Sequence, residues 1–201
     1  MEKEFKESFE HLKKDPIMES LINKLGHKIT LYDRQDNDLA KAISQLIIEQ
    51  QVSFKAAITI KKRFETLIVG LSHHEIILIK NDKLKSIGIS HRKAEYIKNV
   101  YEYFLNTSFD FYSESTDSVM KELIKIKGIG KWTVEMFLIF ILFNKDIFSK
   151  GDLALINSIK INYKISDLSD DLLDQITIKW SPYRTIASLL LWKSIEEKIF
   201  F

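Results

Sequence analysis

Lys125-Ile126-Lys127-Gly128-Ile129-Gly130-Lys131-Trp132-Thr133 places two glycines around one aliphatic residue and rings them with three lysines. Helical periodicity runs up to this stretch and resumes directly after it. Val119, Leu123, Ile124 and Ile126 trace the inner face of a helix ending at Lys127; Trp132, Val134, Met136, Phe137, Ile139 and Phe140 belong to a second helix. The turn between them is expected to be too tight for a Cβ at either glycine. Such a turn aims backbone N–H groups outward at the start of the second helix, a geometry that suits a phosphate oxygen. A plain corner between two helices uses the same spacing, so the glycines alone leave a structural and an anion-binding reading both open.

A carboxylate follows about twenty residues later. Asp152 stands in Phe148-Ser149-Lys150-Gly151-Asp152-Leu153-Ala154-Leu155, where an aspartate before an apolar run is a good helix N-cap. The chain has three tryptophans, Trp132, Trp180 and Trp192, and core packing is the default for a tryptophan on a long helix. Gln50 and Gln51 fall in a polar turn between two helical patterns. His73, His74 and His91 are scattered over polar segments and read as solvated histidines rather than metal ligands.

The elements that must position these residues are all helical. Two short helices precede residue 28, with Pro16 in the first turn of the second. Lys28–Tyr32 alternates briefly and 33–38 is a polar linker. Leu39, Ala42, Ile43, Leu46 and Ile47 mark one helix face, Ser53 caps the next helix over Phe54–Leu67, and Ser72-x-x-Glu75 is a capping box. A helix begins near His91 after Ile87-Gly88-Ile89-Ser90 and ends before 106–118. The helix after the glycine pair is expected to reach about Phe143. Asp152 opens a helix through Tyr163, Ser169 caps one ending near Trp180, and Ser181-Pro182-Tyr183-Arg184 starts the last with Pro182 at its first position.

Composition bounds what the 201 residues can be. Their length suits one compact domain, or two small lobes around one cleft. The absence of cysteine excludes disulfides, thiolate zinc sites and iron–sulfur clusters within this chain. No apolar run approaches a membrane span, and the charged start carries no signal peptide, so a cytoplasmic protein is expected. Thirty Lys and Arg against 28 Asp and Glu give a net charge of only +2, so any nucleic-acid affinity has to come from local clustering.

Four separated motifs, in order, carry a resemblance. These are Ile48-x-Gln50-Gln51-x-Ser53-x-x-Ala56-Ala57-x-x-Ile60, Leu84-x-x-Ile87-Gly88-Ile89-Ser90-x-Arg92-Lys93-Ala94, Leu123-x-x-Ile126-x-Gly128-Ile129-Gly130-x-Trp132-Thr133 with Asp152 downstream, and Trp180-x-Pro182-Tyr183-Arg184-x-x-Ala187-x-x-x-x-Trp192. Together they resemble the helix-hairpin-helix DNA glycosylase superfamily, in its alkylbase (3-methyladenine type II) branch. The resemblance implies an all-α fold over residues 1–201, with the helix-hairpin-helix at about 119–143 and an active cleft between two helical lobes. It covers most of the chain, and residues before about 28 contribute little to it.

The resemblance also implies an activity and a set of roles. The activity is monofunctional hydrolysis of the N-glycosidic bond of alkylated bases in duplex DNA. Asp152 would be the catalytic carboxylate, stabilising positive charge on the sugar and orienting the attacking water. Trp132, Met136, Trp192 and Tyr183 would line the base pocket, where an indole face attracts a cationic alkylated base. Met136 departs from the aromatic that relatives often have there. Gly128, Gly130, Lys131 and Thr133 would hold phosphates, and Gln50 and Gln51 would probe or wedge the base stack. No cofactor is expected beyond a monovalent cation on hairpin backbone carbonyls, and the partner would be damaged duplex DNA met by a monomer. A non-catalytic helix-hairpin-helix protein and a glycosylase for oxidised or deaminated bases are the alternatives.

Overall fold

The computed structural model describes residues 2–34 and 36–201. Met1 and Gln35, the latter within the linker at 33–38, lie outside the described residues. Twelve α-helices are present among them: α1 Glu2–Leu12, α2 Pro16–Leu25, α3 Leu39–Glu49, α4 Phe54–Ile68, α5 His73–Leu78, α6 Asn81–Ser86, α7 His91–Asn106, α8 Thr116–Ile124, α9 Lys131–Phe140, α10 Leu153–Asn162, α11 Asp170–Thr177 and α12 Arg184–Glu197. No strand occurs among the described residues; the alternation at Lys28–Tyr32 falls between the short 3-10 turns Gly26–Lys28 and Tyr32–Arg34.

Polar caps decide where most helices begin. Asp15, Asp38, Ser53, Ser72, Ser90, Ser115, Asp152 and Ser169 each accept a first-turn backbone N–H, and the Ser72–Glu75 capping box is complete. Each such cap is worth about 1 kcal/mol. Three expected boundaries move. Helix α8 stops at Ile124 rather than Lys127, because the Lys125 and Ile126 amides turn back to Glu122 O and Leu123 O. Ile124 is accordingly 52% exposed, while Val119, Leu123 and Ile126 are buried. Helix α9 ends at Phe140, where the Ile141 and Leu142 amides share Phe137 O. Helix α12 starts at Arg184, so Pro182 lies before it and not at its first position.

The chain divides into two compact units, one of Met1–Asp33 and Phe143–Phe201, the other of Arg34–Leu142. In the first, α12 packs on α2 and α10, and Leu21, Leu25, Leu155, Ile159, Trp180, Leu190 and Leu191 form a buried core. Trp180 is a core residue, as its place on an apolar helical pattern implies. A buried polar cluster ties α10 to α12: Ser158 Oγ and Ser194 Oγ are 2.7 Å apart, Asn162 Nδ2 donates to Ser158 O at 2.9 Å, and Asn162 Oδ1 accepts from the Phe201 amide at 2.9 Å. Satisfied buried bonds of this kind fix the register of one helix on another.

In the second unit α7 is the central strut, packed on α3, α5 and α6. Ala94, Ile97, Val100 and Tyr101 are its buried face. His73 is more than a solvated side chain: its Nε2 lies 3.0 Å from Asp38 Oδ2, and its ring meets Tyr101 edge-on. Glu49, at the end of α3, pairs with both Arg34 (2.8 Å) and Lys61 (2.5 Å).

Candidate active site and DNA interface

The two glycines of the hairpin have different jobs. Gly128 has φ +109°, a conformation that L side chains rarely adopt, and a Cβ there would overlap the Tyr96 ring. Gly130 has an ordinary extended backbone, φ −103° and ψ 175°, and no atom stands within 4 Å of where its Cβ would be. The expectation that both positions forbid a side chain therefore holds only for Gly128, which the turn and Tyr96 require. Gly130 is the N-cap of α9 and, having no side chain, leaves the first-turn amides of α9 without a side-chain cap. A helix N-terminus whose cap residue has no side chain leaves room for an anionic oxygen.

Around this turn Lys127 and Lys131 are exposed, while Lys125 is drawn to Glu122 at 2.6 Å. The Lys131 side chain is 71% exposed and lies 3.9 Å from Glu135, one turn along. Thr133 is only 2% exposed, and its Oγ1 accepts a hydrogen bond from Gln50 Nε2 at 2.8 Å. Its hydroxyl is therefore engaged inside the protein. Gln50 is likewise engaged internally, with Gly128 O as a second, longer contact at 3.5 Å. Gln51 is exposed and left-handed, φ +53°. Of the two glutamines, only Gln51 is presented to a partner.

Trp132 is partly exposed in the first turn of α9. Met136, one turn later, is 1% exposed and presents no surface to a ligand, which corrects its expected place in the pocket wall. It is built into the apolar body of α9, whose residues from Thr133 to Phe140 are all buried.

The first unit carries the carboxylate. Asp152 caps α10, its Oδ1 accepting the Leu155 amide at 3.0 Å. The same Oδ1 accepts the Trp192 indole N–H at 3.1 Å. Both bonds converge on one oxygen, so the carboxylate is held at a fixed angle from two helices. Trp192, which core packing would have buried, is partly exposed and oriented by this bond. Tyr183 goes elsewhere: its ring packs edge-on against His11 at 5.5 Å, on α1.

Asp146 was not singled out by its sequence. It accepts two parallel bonds from Arg184, Nε at 2.8 Å and Nη2 at 3.0 Å, and a third from Ser181 Oγ at 2.8 Å. Burial works against its charge, but the Arg184 guanidinium and the Ser181 hydroxyl win and hold its pKa below the ordinary carboxylate value. The pair anchors the start of the helix that carries Trp192. An arginine at the first position of a helix opposes the dipole, and Asp146 offsets that here.

The family model described as "HhH-GPD superfamily base excision DNA repair protein" matches residues 44–182, a span that takes in the hairpin, Asp152 and most of the segment joining it to the last helix. The chain belongs to the HhH-GPD superfamily. This HhH-GPD protein is 30% identical to the alkylbase DNA glycosidase-like protein mag2 of Schizosaccharomyces pombe, over 94% of this chain and 93% of that one. That similarity puts it in the alkylbase branch. YfjP of Bacillus subtilis is 31% identical over 80% of this chain, which spans 60% of the length of that relative. Among solved structures, the S. pombe 3-methyladenine DNA glycosylase Mag1, in complex with abasic DNA, superposes with a TM-score of 0.86 at 24% identity, covering 94% of this chain and 97% of Mag1.

The bond between Asp152 and Trp192 separates two uses of that tryptophan in this HhH-GPD protein. Trp192→Phe keeps a ring but removes the N–H donor. Losing a hydrogen bond to a charged group costs about 1.5–3 kcal/mol, so single-turnover base excision should fall by about ten- to a hundredfold. Affinity for a duplex containing an abasic analogue should stay within a few-fold, since no phosphate-binding group is altered. Unchanged excision kinetics would mean that the indole N–H does not position the carboxylate.

Proposed function

We propose that this HhH-GPD protein is a monofunctional DNA glycosylase that hydrolyses the N-glycosidic bond of alkylated bases, of the 3-methyladenine and 7-methylguanine type, in duplex DNA. The observation that carries the reading is the Asp152 carboxylate, held through Oδ1 by Leu155 N–H and Trp192 N–H. Breaking the bond from base to sugar builds positive charge on the deoxyribose, and a fixed carboxylate stabilises that charge and orients water for attack. The hairpin amides and Lys131 would hold the backbone of the damaged strand. Trp132 would stack on a cationic base, a contact of about 1–2 kcal/mol that neutral bases gain less from. A protein that only bound DNA would use Asp152 as a cap but would have no need of an indole donor aimed at the same oxygen.

Among the described residues no cluster of three or more His, Asp or Glu could hold a metal ion. A monovalent cation would instead use hairpin backbone carbonyls. Lys127 O and Gly128 O already accept from Asn99 Nδ2 and Gln50 Nε2, and each keeps a second lone pair that a cation could use. No described helix is long and apolar enough to cross a membrane, and a monomer acting on DNA in the cytoplasm completes the reading. The test is base release from methylated duplex DNA with chromatographic identification of what is freed. Release of 3-methyladenine and 7-methylguanine is expected. Tight DNA binding with no base released would leave a binding protein, and release of only oxidised or deaminated bases would place the activity elsewhere.

Strand cleavage is not expected. A lyase reaction needs an amine to attack the sugar and form a Schiff base, and Trp132 has none. Lys131 is one residue away, about 100° around the helix, and faces solvent beside Glu135. Borohydride added during turnover should therefore trap no protein–DNA crosslink, and the product should be an intact abasic strand. A crosslinked band that disappears in Lys131→Ala would make this a bifunctional enzyme.

A further inference from the structure

Lys93 lies in the first turn of α7, where a cation opposes the helix dipole. Its ammonium group does not go to water. Nζ donates to Ile48 O at 2.9 Å and to Gln50 O at 2.6 Å, two carbonyls at the end of α3 that have no helical partner of their own. The group is partly buried there, and burial pushes its pKa below the ordinary lysine value. So Lys93 is placed for the benefit of α3 and the turn after it, at some cost to α7.

The same turn is held from a second side. The Gln50 side chain reaches Thr133 Oγ1 at 2.8 Å, on the first turn of α9. Helix α7 completes the frame, because Tyr96 packs under the turn at Gly128 and Asn99 Nδ2 donates to Lys127 O at 3.1 Å. One helix therefore grips both the turn that bears Gln51 and the loop that bears the phosphate-facing amides. Gln51 itself is in the left-handed region, a conformation that costs a non-glycine residue about 1 kcal/mol and persists only where its surroundings over-determine it.

We propose that Lys93 and Gln50 are positioning residues that latch the 50–53 turn to the hairpin and so set where Gln51 meets the base stack. The proposal rests on the reading of Gln51 as the side chain that fills the space left by a flipped nucleotide. Extruding a base requires the backbone to be gripped while a side chain enters the stack at a set distance from the grip. Misplacement by about 1 Å costs a reaction of this kind roughly 10²-fold. The latch fixes that distance before DNA arrives.

The experiment compares one 7-methylguanine lesion in a matched duplex with the same lesion in a single-nucleotide bulge, where it is already unpaired. Lys93→Met keeps the length of the side chain without its charge, and Gln50→Leu cuts the other arm if the first variant fails to fold. Thermal unfolding identifies any variant that does. On the matched duplex, single-turnover excision should fall by about tenfold or more. On the bulge the loss should be several times smaller, and 2-aminopurine placed beside the lesion should report slower unstacking. Equal losses on both substrates, or no loss on either, overturn the proposal. Gln51→Gly is the reference: if it too spares the matched duplex, the reading of Gln51 has failed. If Gln51→Gly is impaired while Lys93→Met and Gln50→Leu are not, the latch alone has failed.

Discussion

Asp152→Asn should leave the protein folded and able to hold abasic DNA, while base excision should fall by about 10²- to 10⁴-fold. Asparagine caps a helix as well as aspartate does, so α10 keeps its start. The Oδ1 atom of asparagine still accepts from Leu155 N and Trp192 Nε1, and the bonds that aim the group survive. What disappears is the negative charge, the one property that stabilises a developing sugar cation. Asp152→Ala is the less informative change, since it also removes the cap and about 1 kcal/mol of stability. The measurement is release of 3-methyladenine from methylated duplex, set against affinity for a duplex with an abasic analogue. Near-normal excision by Asp152→Asn would remove Asp152 from the chemistry.

The second large effect separates the two hairpin glycines. Gly130→Asp should fold at least as well as the parent, because φ −103° and ψ 175° suit an N-cap and the Cβ points into open space. The new carboxylate would accept the first-turn amides of α9 and place negative charge where a phosphate is expected. Affinity for duplex DNA of any sequence should drop by at least about tenfold, and the slope of log K against log salt should shallow by about one for each phosphate the protein no longer neutralises. Gly128→Ala should do the reverse. It forces a Cβ into the Tyr96 ring at φ +109°, and the combined backbone and overpacking cost is about 2–4 kcal/mol, read as a lowered Tm. Normal DNA binding by folded Gly130→Asp would reduce the hairpin to a corner between two helices.

These contrasts show why the hairpin was legible from residue types while its working parts were not. Gly-Ile-Gly announces a turn between two helical patterns, since φ and Cβ restrictions act locally. Which glycine is required by the backbone depends on Tyr96, thirty-two residues earlier, and no local rule supplies that neighbour. The resemblance implies that Thr133 and Gln50 are offered to DNA. They satisfy each other instead, as polar groups do once packing withdraws them from water. Met136 follows the helical stripe that predicts burial, and burial is what it has.

The helices, their caps and the identity of the turn were determined by the sequence alone. Helical periodicity and a side chain's reach to its own backbone extend over only three or four residues, so Ser53, Ser72, Ser90, Asp152 and Ser169 act where they stand. Tertiary structure decided which side chains those helices bring face to face. Asp152 reads from its local sequence as the cap of α10, and only the packing of α12 brings the Trp192 N–H, forty residues on, to the same oxygen. Lys93 reads as one more surface base until α7 lays it across the end of α3. Tyr183 and Trp192 share a motif, yet packing gives them different partners, His11 for one and Asp152 for the other. Contacts of this kind join residues distant in the chain, and only the packing of whole helices sets them.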